Sequence, residues 1–109
     1  MPKSISAADV KLVILACEAG MGSSLMSVNS LKKKLKAAQI TDVTVVHKPV
    51  REVPADAKVV VVHKGLAKTA ASKAPHAVVI AFNHFLNDPA FDNLVKAFVD
   101  KTDIVGTDL

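Results

Sequence analysis

The apolar residues of this chain occur in two patterns, as short unbroken runs and as stretches with helical spacing. Short apolar runs are typical of buried strands, whereas apolar residues three and four positions apart predict a helix that packs by one face. The runs predict strands at residues 11–16, 42–47, 58–63 and 77–81. The third run contains consecutive valines that would face both sides of a sheet, so we expect that strand to be central.

Helical spacing separates the predicted strands. It predicts helices at 24–38, at 64–74 and from 89 to about 100. The last helix has the clearest start, because Asp88 can act as its N-cap and Pro89 suits its first position. The residues expected to face the sheet are Leu25, Val28, Leu31, Leu35 and Ala38 in the first helix, Leu66, Ala70 and Ala74 in the second, and Phe91, Leu94, Val95, Phe98 and Val99 in the third.

Two segments lack either pattern. Residues 49–54, bounded by two prolines, predict at most one helical turn. Residues 102–109 have little pattern, which is typical of a flexible tail. A chain of 109 residues suits one compact unit, so we expect a single domain over 1–109 with a core at about 11–101.

Strands that alternate with helices predict a parallel sheet, because neighbouring parallel strands need a crossover connection, which is almost always right-handed. The predicted fold is α/β, with a four-stranded parallel sheet in the order 2-1-3-4 and helices on both faces. In this order the winding reverses beside the end of the first strand. Open α/β sheets bind their ligands at such a point, so we expect the functional site there.

The first strand leads into a segment of small residues, which runs Cys17, Glu18, Ala19, Gly20, Met21, Gly22, Ser23 and Ser24. Two glycines allow the backbone to turn successive N–H groups inward, and the following helix points its first amides to the same place. Ser23 and Ser24 stand where a helix N-cap is expected. The segment therefore predicts a phosphate-binding loop.

Cys17 is the candidate nucleophile of this loop. A thiolate is an anion, so the same amides and helix end are expected to hold the pKa of Cys17 below that of a free cysteine. A lone cysteine after a strand is usually a small buried apolar residue. Here the strand, the paired glycines and the serines occur together, and this combination favours a thiolate that attacks phosphorus and carries a phosphoryl group.

Composition excludes several other functions. Aromatic residues make up 4% of the chain, with no Trp or Tyr, which argues against a nucleic-acid binder that stacks bases on rings. The net charge is +4, but its densest group is expected to form the solvated side of the first helix; this group is Lys32, Lys33, Lys34 and Lys36.

A single cysteine allows no internal disulfide. The absence of a signal-peptide core predicts a cytoplasmic location, and no apolar run is long enough for direct membrane insertion.

Several further polar residues are expected near the same edge of the sheet. His47, His63 and His84 follow predicted strands, whereas His76 belongs to the opposite end. His63 and Lys64 are possible contacts of the phosphoryl group or of a partner, since a cation there would neutralise phosphate. Arg51 is expected to be solvated. No cysteine or histidine spacing typical of zinc sites occurs, so we expect no metal.

Three classes of function use such a loop. A phosphatase of the Cys-x5-Arg type, as in low-molecular-weight phosphatases, clamps phosphate with an arginine six residues after the nucleophile, and here that position is Ser23. A transfer protein needs a phosphothiol that survives until an acceptor arrives, which suits a loop without that arginine. A regulatory domain that only holds an anion needs no cysteine. The residues favour transfer.

These residues resemble the IIB components of the bacterial phosphoenolpyruvate-dependent sugar phosphotransferase system (PTS), the mannitol-specific type most closely. The resemblance runs from about Lys11 to Val99 and is carried by residues 17–24, 62–66, 85–87, 91–92 and 94–95. The chain departs from the family at Lys64, where the family often has arginine, and at His84, where it often has asparagine. Both departures bear on the identity of the sugar and the affinity for partners more than on the phosphoryl chemistry.

The resemblance implies that Cys17 takes phosphoryl from a phosphohistidine of a IIA domain and passes it to a sugar in the membrane-embedded IIC domain. It also implies that no cofactor beyond this donor is needed. Mannitol is the expected substrate, with the ascorbate and galactitol types as the nearest rivals. Membrane association would then come through IIC.

Overall fold

The computed structural model describes residues 4–17, 22–83 and 89–106, with the backbone alone described at Cys17 and at 22–27. Along the chain the elements are β1 (Ser4–Ser6), β2 (Leu12–Cys17), α1 (Gly22–Ala37), β3 (Thr44–Pro49), β4 (Val59–His63), α2 (Ala67–Lys73), β5 (Val78–Phe82), α3 (Pro89–Asp100) and β6 (Asp103–Val105). Short 3-10 turns lie at Ala7–Asp9, Val50–Glu52 and Lys64–Leu66. The predicted single turn between the prolines is therefore confirmed.

The central sheet has four parallel strands in the order β3-β2-β4-β5. Since β2 is the first strand of this sheet along the chain, the order is the predicted 2-1-3-4. Each predicted strand is present, and the observed ends lie within two residues of the predicted ones. The predicted fold class is confirmed.

The core lies on both faces of this sheet, as the valines of β4 show. Val59, Val60, Val61 and Val62 are each 0% exposed, and alternate residues belong to two different apolar clusters. The cluster with Val59 and Val61 contains residues of α1 and α3, whereas the cluster with Val60 and Val62 contains residues of α2. The connection after β2 leads to β3 and the connection after β4 leads to β5, in opposite directions along the sheet. Right-handed crossovers in opposite directions place their helices, here α1 and α2, on opposite faces.

The inward side of α3 differs in part from the prediction. Phe91, Leu94 and Phe98 are buried as expected, but Val99 is 49% exposed and Ala97 is buried instead. The reason is β6, which packs against α3 and contributes Ile104 to the same apolar cluster. Val99 was therefore wrongly assigned to the core, because the element that packs beside Ala97 was not predicted.

The two ends of the described chain pair with each other as an antiparallel ribbon of β1 and β6. Ser4 pairs with Val105, Ile5 with Ile104 and Ser6 with Asp103. Ile104 is 2% exposed. The prediction of a flexible tail was thus wrong for Asp103–Val105, which form a strand with a buried side chain.

We expect Ile104→Ala to lower the free energy of unfolding by about 2–4 kcal/mol, because a buried apolar side chain is lost and a cavity remains. Val105→Ala is the matched control, since Val105 on the same strand is 59% exposed, and its effect should stay within about 0.5 kcal/mol. Urea unfolding measures both. Equal effects of the two variants would contradict the placement of Ile104 in the core.

One lysine of α1 is not simply solvated. The Lys34 ammonium donates to Asp92 Oδ1 of α3 at 2.9 Å, and the Lys34 side chain is 28% exposed. Lys32, Lys33 and Lys36 are exposed as predicted. Lys34 therefore links the two helices on one face of the sheet, a link worth at most about 1 kcal/mol for so exposed a pair.

Candidate functional site

The carboxyl ends of three neighbouring strands meet at one edge of the sheet. Cys17, the last residue of β2, is in register with Pro49, the last residue of β3. On the other side Ala16 pairs with Val62, so Cys17 is level with His63, the last residue of β4. Cys17 thus lies between two strand ends, beside the point where the winding reverses.

Helix α1 begins close to this edge. Its first residue is Gly22, so the described strand end and helix start are separated only by residues 18–21. The first turn of α1 carries no acidic residue, and the last turn carries Lys34 and Lys36. No carboxylate within α1 therefore offsets the positive end of its macrodipole, which lies on the side of Cys17.

The rest of the predicted loop lies outside this description. Glu18, Ala19, Gly20 and Met21 fall outside the described residues, and the side chains of Cys17, Ser23 and Ser24 are not described. The phosphate-binding geometry assigned to residues 17–24 stays a prediction from the sequence. The structure does show the two elements that flank this loop in the sequence. These are the end of β2 and the start of α1, at the expected edge of the sheet.

His63 has a defined setting at this edge. Its Nδ1 accepts a hydrogen bond from the backbone N–H of Gly65 at 3.2 Å. Its ring is edge-on to that of Phe82, with 5.8 Å between centroids and 84° between planes. Since Nδ1 is the acceptor, the proton of the neutral ring is on Nε2. Lys64, the next residue, is exposed. The two predicted rim residues therefore lie at the same edge of the sheet as Cys17.

The roles of Gly65 and Phe82 were not predicted from the sequence. The His-x-Gly spacing was a usable signal, because a side-chain acceptor two residues before a backbone N–H is a known turn arrangement. The contact with Phe82 had no such signal, since it depends on the pairing of β4 with β5.

The other histidines are not all where the sequence suggested. His47 lies within β3, opposite Leu15 and two residues before the strand ends, so its predicted place at the edge was wrong. The strand continues to Pro49 because proline is tolerated at the end of an outer strand. His76 is exposed in the turn before β5, at the opposite end as predicted, and Arg51 is exposed. His84 lies outside the described residues.

Neither a metal-ligand cluster nor a membrane-spanning helix occurs among the described residues. Within 4–17, 22–83 and 89–106, no three His, Cys, Asp or Glu side chains are grouped so that they could hold a metal ion. Over the same part of the chain, none of the helices has the length and apolar character needed to cross a membrane.

The chain forms an α/β domain. The first strand of its parallel sheet ends in a cysteine, shortly before a long helix begins. The model of the family described as the PTS system, Lactose/Cellobiose specific IIB subunit, matches residues 12–97. The chain belongs to this family of PTS IIB subunits. The match begins with β2 and ends within α3, so it covers the whole central sheet.

Curated relatives place the chain with the mannitol type. It is 38% identical over 91 residues to the mannitol-specific EIICBA component of Buchnera aphidicola. It is 39% identical over 92 residues to the mannitol-specific EIICB component of Bacillus subtilis, and 41% identical over 87 residues to that of Staphylococcus saprophyticus. These matches cover 80–84% of this chain but only 14–19% of the relatives. The resemblance seen in the sequence is confirmed.

Proposed function

We propose that this chain is the phosphoryl carrier of a mannitol-type PTS and that Cys17 is its nucleophile. The observation that supports this most is the position of Cys17, the only cysteine, at the end of β2 between the ends of β3 and β4. Membership of the IIB family supports the same reaction. Open α/β sheets bind their ligands at this edge, so the position suits a nucleophile.

The proposed transfer has two steps. The Cys17 thiolate attacks the phosphorus of a phosphohistidine in line, so the S–P bond forms as the N–P bond breaks and the imidazole nitrogen keeps the electron pair. A sugar hydroxyl then attacks the phosphorus, the O–P bond forms and sulfur leaves as thiolate. The hydroxyl proton passes to a base outside this chain.

The loop would act mainly by stabilising the negative charge on the transferred group. In both steps negative charge spreads over three equatorial oxygens. We propose that the serine hydroxyls of the loop bind these oxygens together with its backbone amides, which belong to Glu18, Ala19, Gly20, Met21, Gly22, Ser23 and Ser24. The positive end of α1 favours the same charge. Lys64 would add a cation beside the transferred group. Because Ser23 stands where a phosphatase has its arginine clamp, the phosphothiol would hydrolyse slowly.

The partners follow from the proposed steps. Relatives named EIICB and EIICBA are single chains with further components, and this chain would work with the same kinds of partner. We propose a phosphohistidine IIA domain as donor and a IIC domain with bound mannitol as acceptor. The domain would act in the cytoplasm, at the membrane through IIC. The donor supplies the phosphoryl group, so no cofactor is proposed.

The test uses enzyme I, the phosphocarrier HPr, phosphoenolpyruvate and a mannitol-type IIA protein mixed with this chain. We expect intact-mass spectrometry to show the addition of one phosphoryl group that depends on every component. The sugar is tested by adding membranes that contain a mannitol, ascorbate or galactitol IIC. Absence of labelling with all IIA donors, or rapid hydrolysis of an aryl phosphate by the chain, would contradict the proposal.

We expect the Cys17 thiol to react as a thiolate at lower pH than a free cysteine, because the loop amides and the α1 terminus stabilise the anion. The measurement is the rate of alkylation by iodoacetamide as a function of pH. The rate should reach half its maximum at a lower pH than it does for a free cysteine. A profile centred on the ordinary cysteine value would contradict a preorganised loop.

A further inference from the structure

His63 makes a turn at the end of β4 that the proposed transfer does not by itself require. Its Nδ1 accepts the Gly65 N–H at 3.2 Å, so the side chain acts as the N-cap of the 3-10 turn Lys64–Leu66. A side-chain acceptor two residues before its donor holds the backbone between them in one conformation. The residue between them is Lys64.

The imidazole that makes this cap is itself held in place. Its ring lies edge-on to Phe82, the residue in register with it on β5, with centroids 5.8 Å apart. Phe82 is 1% exposed and contacts Phe91 of α3, with ring centroids 5.0 Å apart. A buried aromatic pair therefore supports one side of the His63 ring, so its Nδ1 is fixed relative to the sheet.

The cap lies directly beside the reacting end of β2. The pairing of Ala16 with Val62 continues to put Cys17 level with His63, on an adjacent strand. Adjacent strands are about 4.8 Å apart. Lys64 is one residue beyond that level, so the conformation of its backbone decides where its side chain starts relative to the end of β2.

We propose that His63 is a positioning residue for phosphoryl transfer. As a neutral ring with its proton on Nε2, it caps the Gly65 N–H and thereby fixes the backbone of Lys64 beside the phosphoryl group on Cys17. This inference rests on the proposed function, since it assigns the task of Lys64 to that reaction. His63 itself forms no bond to phosphorus in this mechanism.

The cap has a direct spectroscopic test that needs no phosphoryl donor. Long-range ¹H–¹⁵N correlation spectra at about pH 8, where imidazoles are neutral, report which ring nitrogen carries the proton. We expect the Nε2–H form for His63, with the Nδ1 resonance typical of an unprotonated acceptor. A ring protonated at Nδ1 would overturn the proposal, because Nδ1 could then not accept the Gly65 N–H.

Two variants separate the acceptor from the ring. His63→Asn keeps an acceptor that can bond the N–H two residues later, whereas His63→Phe keeps a ring against Phe82 but has no acceptor. We expect His63→Phe to slow phosphoryl transfer from the IIA donor about five- to tenfold, the size of one neutral hydrogen bond, and His63→Asn to stay within about twofold of wild type. His76→Phe, the same change at the exposed opposite end, is the matched control.

A double-mutant cycle tests whether His63 acts through Lys64. In a Lys64→Gln background, we expect His63→Phe to have little further effect on the transfer rate, because both changes remove the same contribution. Additive effects, or equal rates for His63→Phe and wild type, would overturn the inference while phosphorylation of the wild-type chain stands. If the wild-type chain accepts no phosphoryl group, the proposed function and the role of His63 in it are both wrong. The tautomer measurement then still decides whether the cap exists.

Discussion

Replacement of Cys17 by serine is expected to abolish phosphoryl transfer to this chain, with a loss of at least about a thousandfold in rate. A serine hydroxyl stays protonated at neutral pH and is therefore a much weaker nucleophile than a thiolate. The change is small and falls at the end of β2. We therefore expect the fold to survive. The measurement is the rate of phosphoryl transfer from a charged IIA protein.

Two controls make this result specific. Urea unfolding of Cys17→Ser should give a midpoint close to that of wild type, which excludes loss of fold as the cause. His76→Ser, a change at the exposed opposite end of the sheet, should be phosphorylated at the wild-type rate. Normal phosphorylation of the Cys17→Ser protein would rule out Cys17 as the carrier.

The largest expected effect on stability is that of Phe82→Ala. Phe82 is 1% exposed at the end of β5, between the ring of His63 and the ring of Phe91. Loss of a buried phenyl ring leaves a cavity and costs about 3–5 kcal/mol, which is a large part of the typical stability of a small domain. Urea unfolding measures the change in the free energy of unfolding.

The matched control for Phe82→Ala is Val99→Ala, because Val99 lies on α3 but is 49% exposed. Its effect should remain within about 1 kcal/mol. Phe82→Leu should cost less than Phe82→Ala, since leucine fills part of the space. If Phe82→Ala were no more harmful than Val99→Ala, Phe82 would not be the buried link between β5 and α3.

The central sheet could be predicted from the sequence because its strands are unbroken apolar runs between helical segments. The valines of β4 are buried on both faces, as their unbroken apolar run predicted, and β4 lies inside the sheet. The order of the strands followed from the handedness of crossovers, which leaves few arrangements open.

The ribbon of β1 and β6 could not be predicted in this way. Each strand has three residues, and alternation over three positions is too short to distinguish a strand from a loop. Its formation depends on pairing between residues near the two ends of the chain, such as Ile5 with Ile104. The error at Val99 has the same origin, since the burial of Ala97 depends on this ribbon.

The candidate site was predicted in part. The position of Cys17 at the carboxyl edge followed from the strand and the glycine-rich segment after it. The hydrogen bond between His63 and Gly65 was not predicted, because it depends on backbone conformation at the end of β4. The displacement of His47 from the edge has a similar cause, since β3 extends to Pro49 where a sequence pattern favours an earlier end.

The central claim is that a single sulfur carries the phosphoryl group, and peptide mapping of the phosphorylated chain tests it most directly. The chain is charged by a IIA donor, digested under conditions that preserve phosphothiols, and analysed by mass spectrometry. We expect the group on the peptide that contains Cys17, with one phosphoryl group per chain. A group found on any of the four histidines, with Cys17 still alkylated by iodoacetamide, would contradict the account.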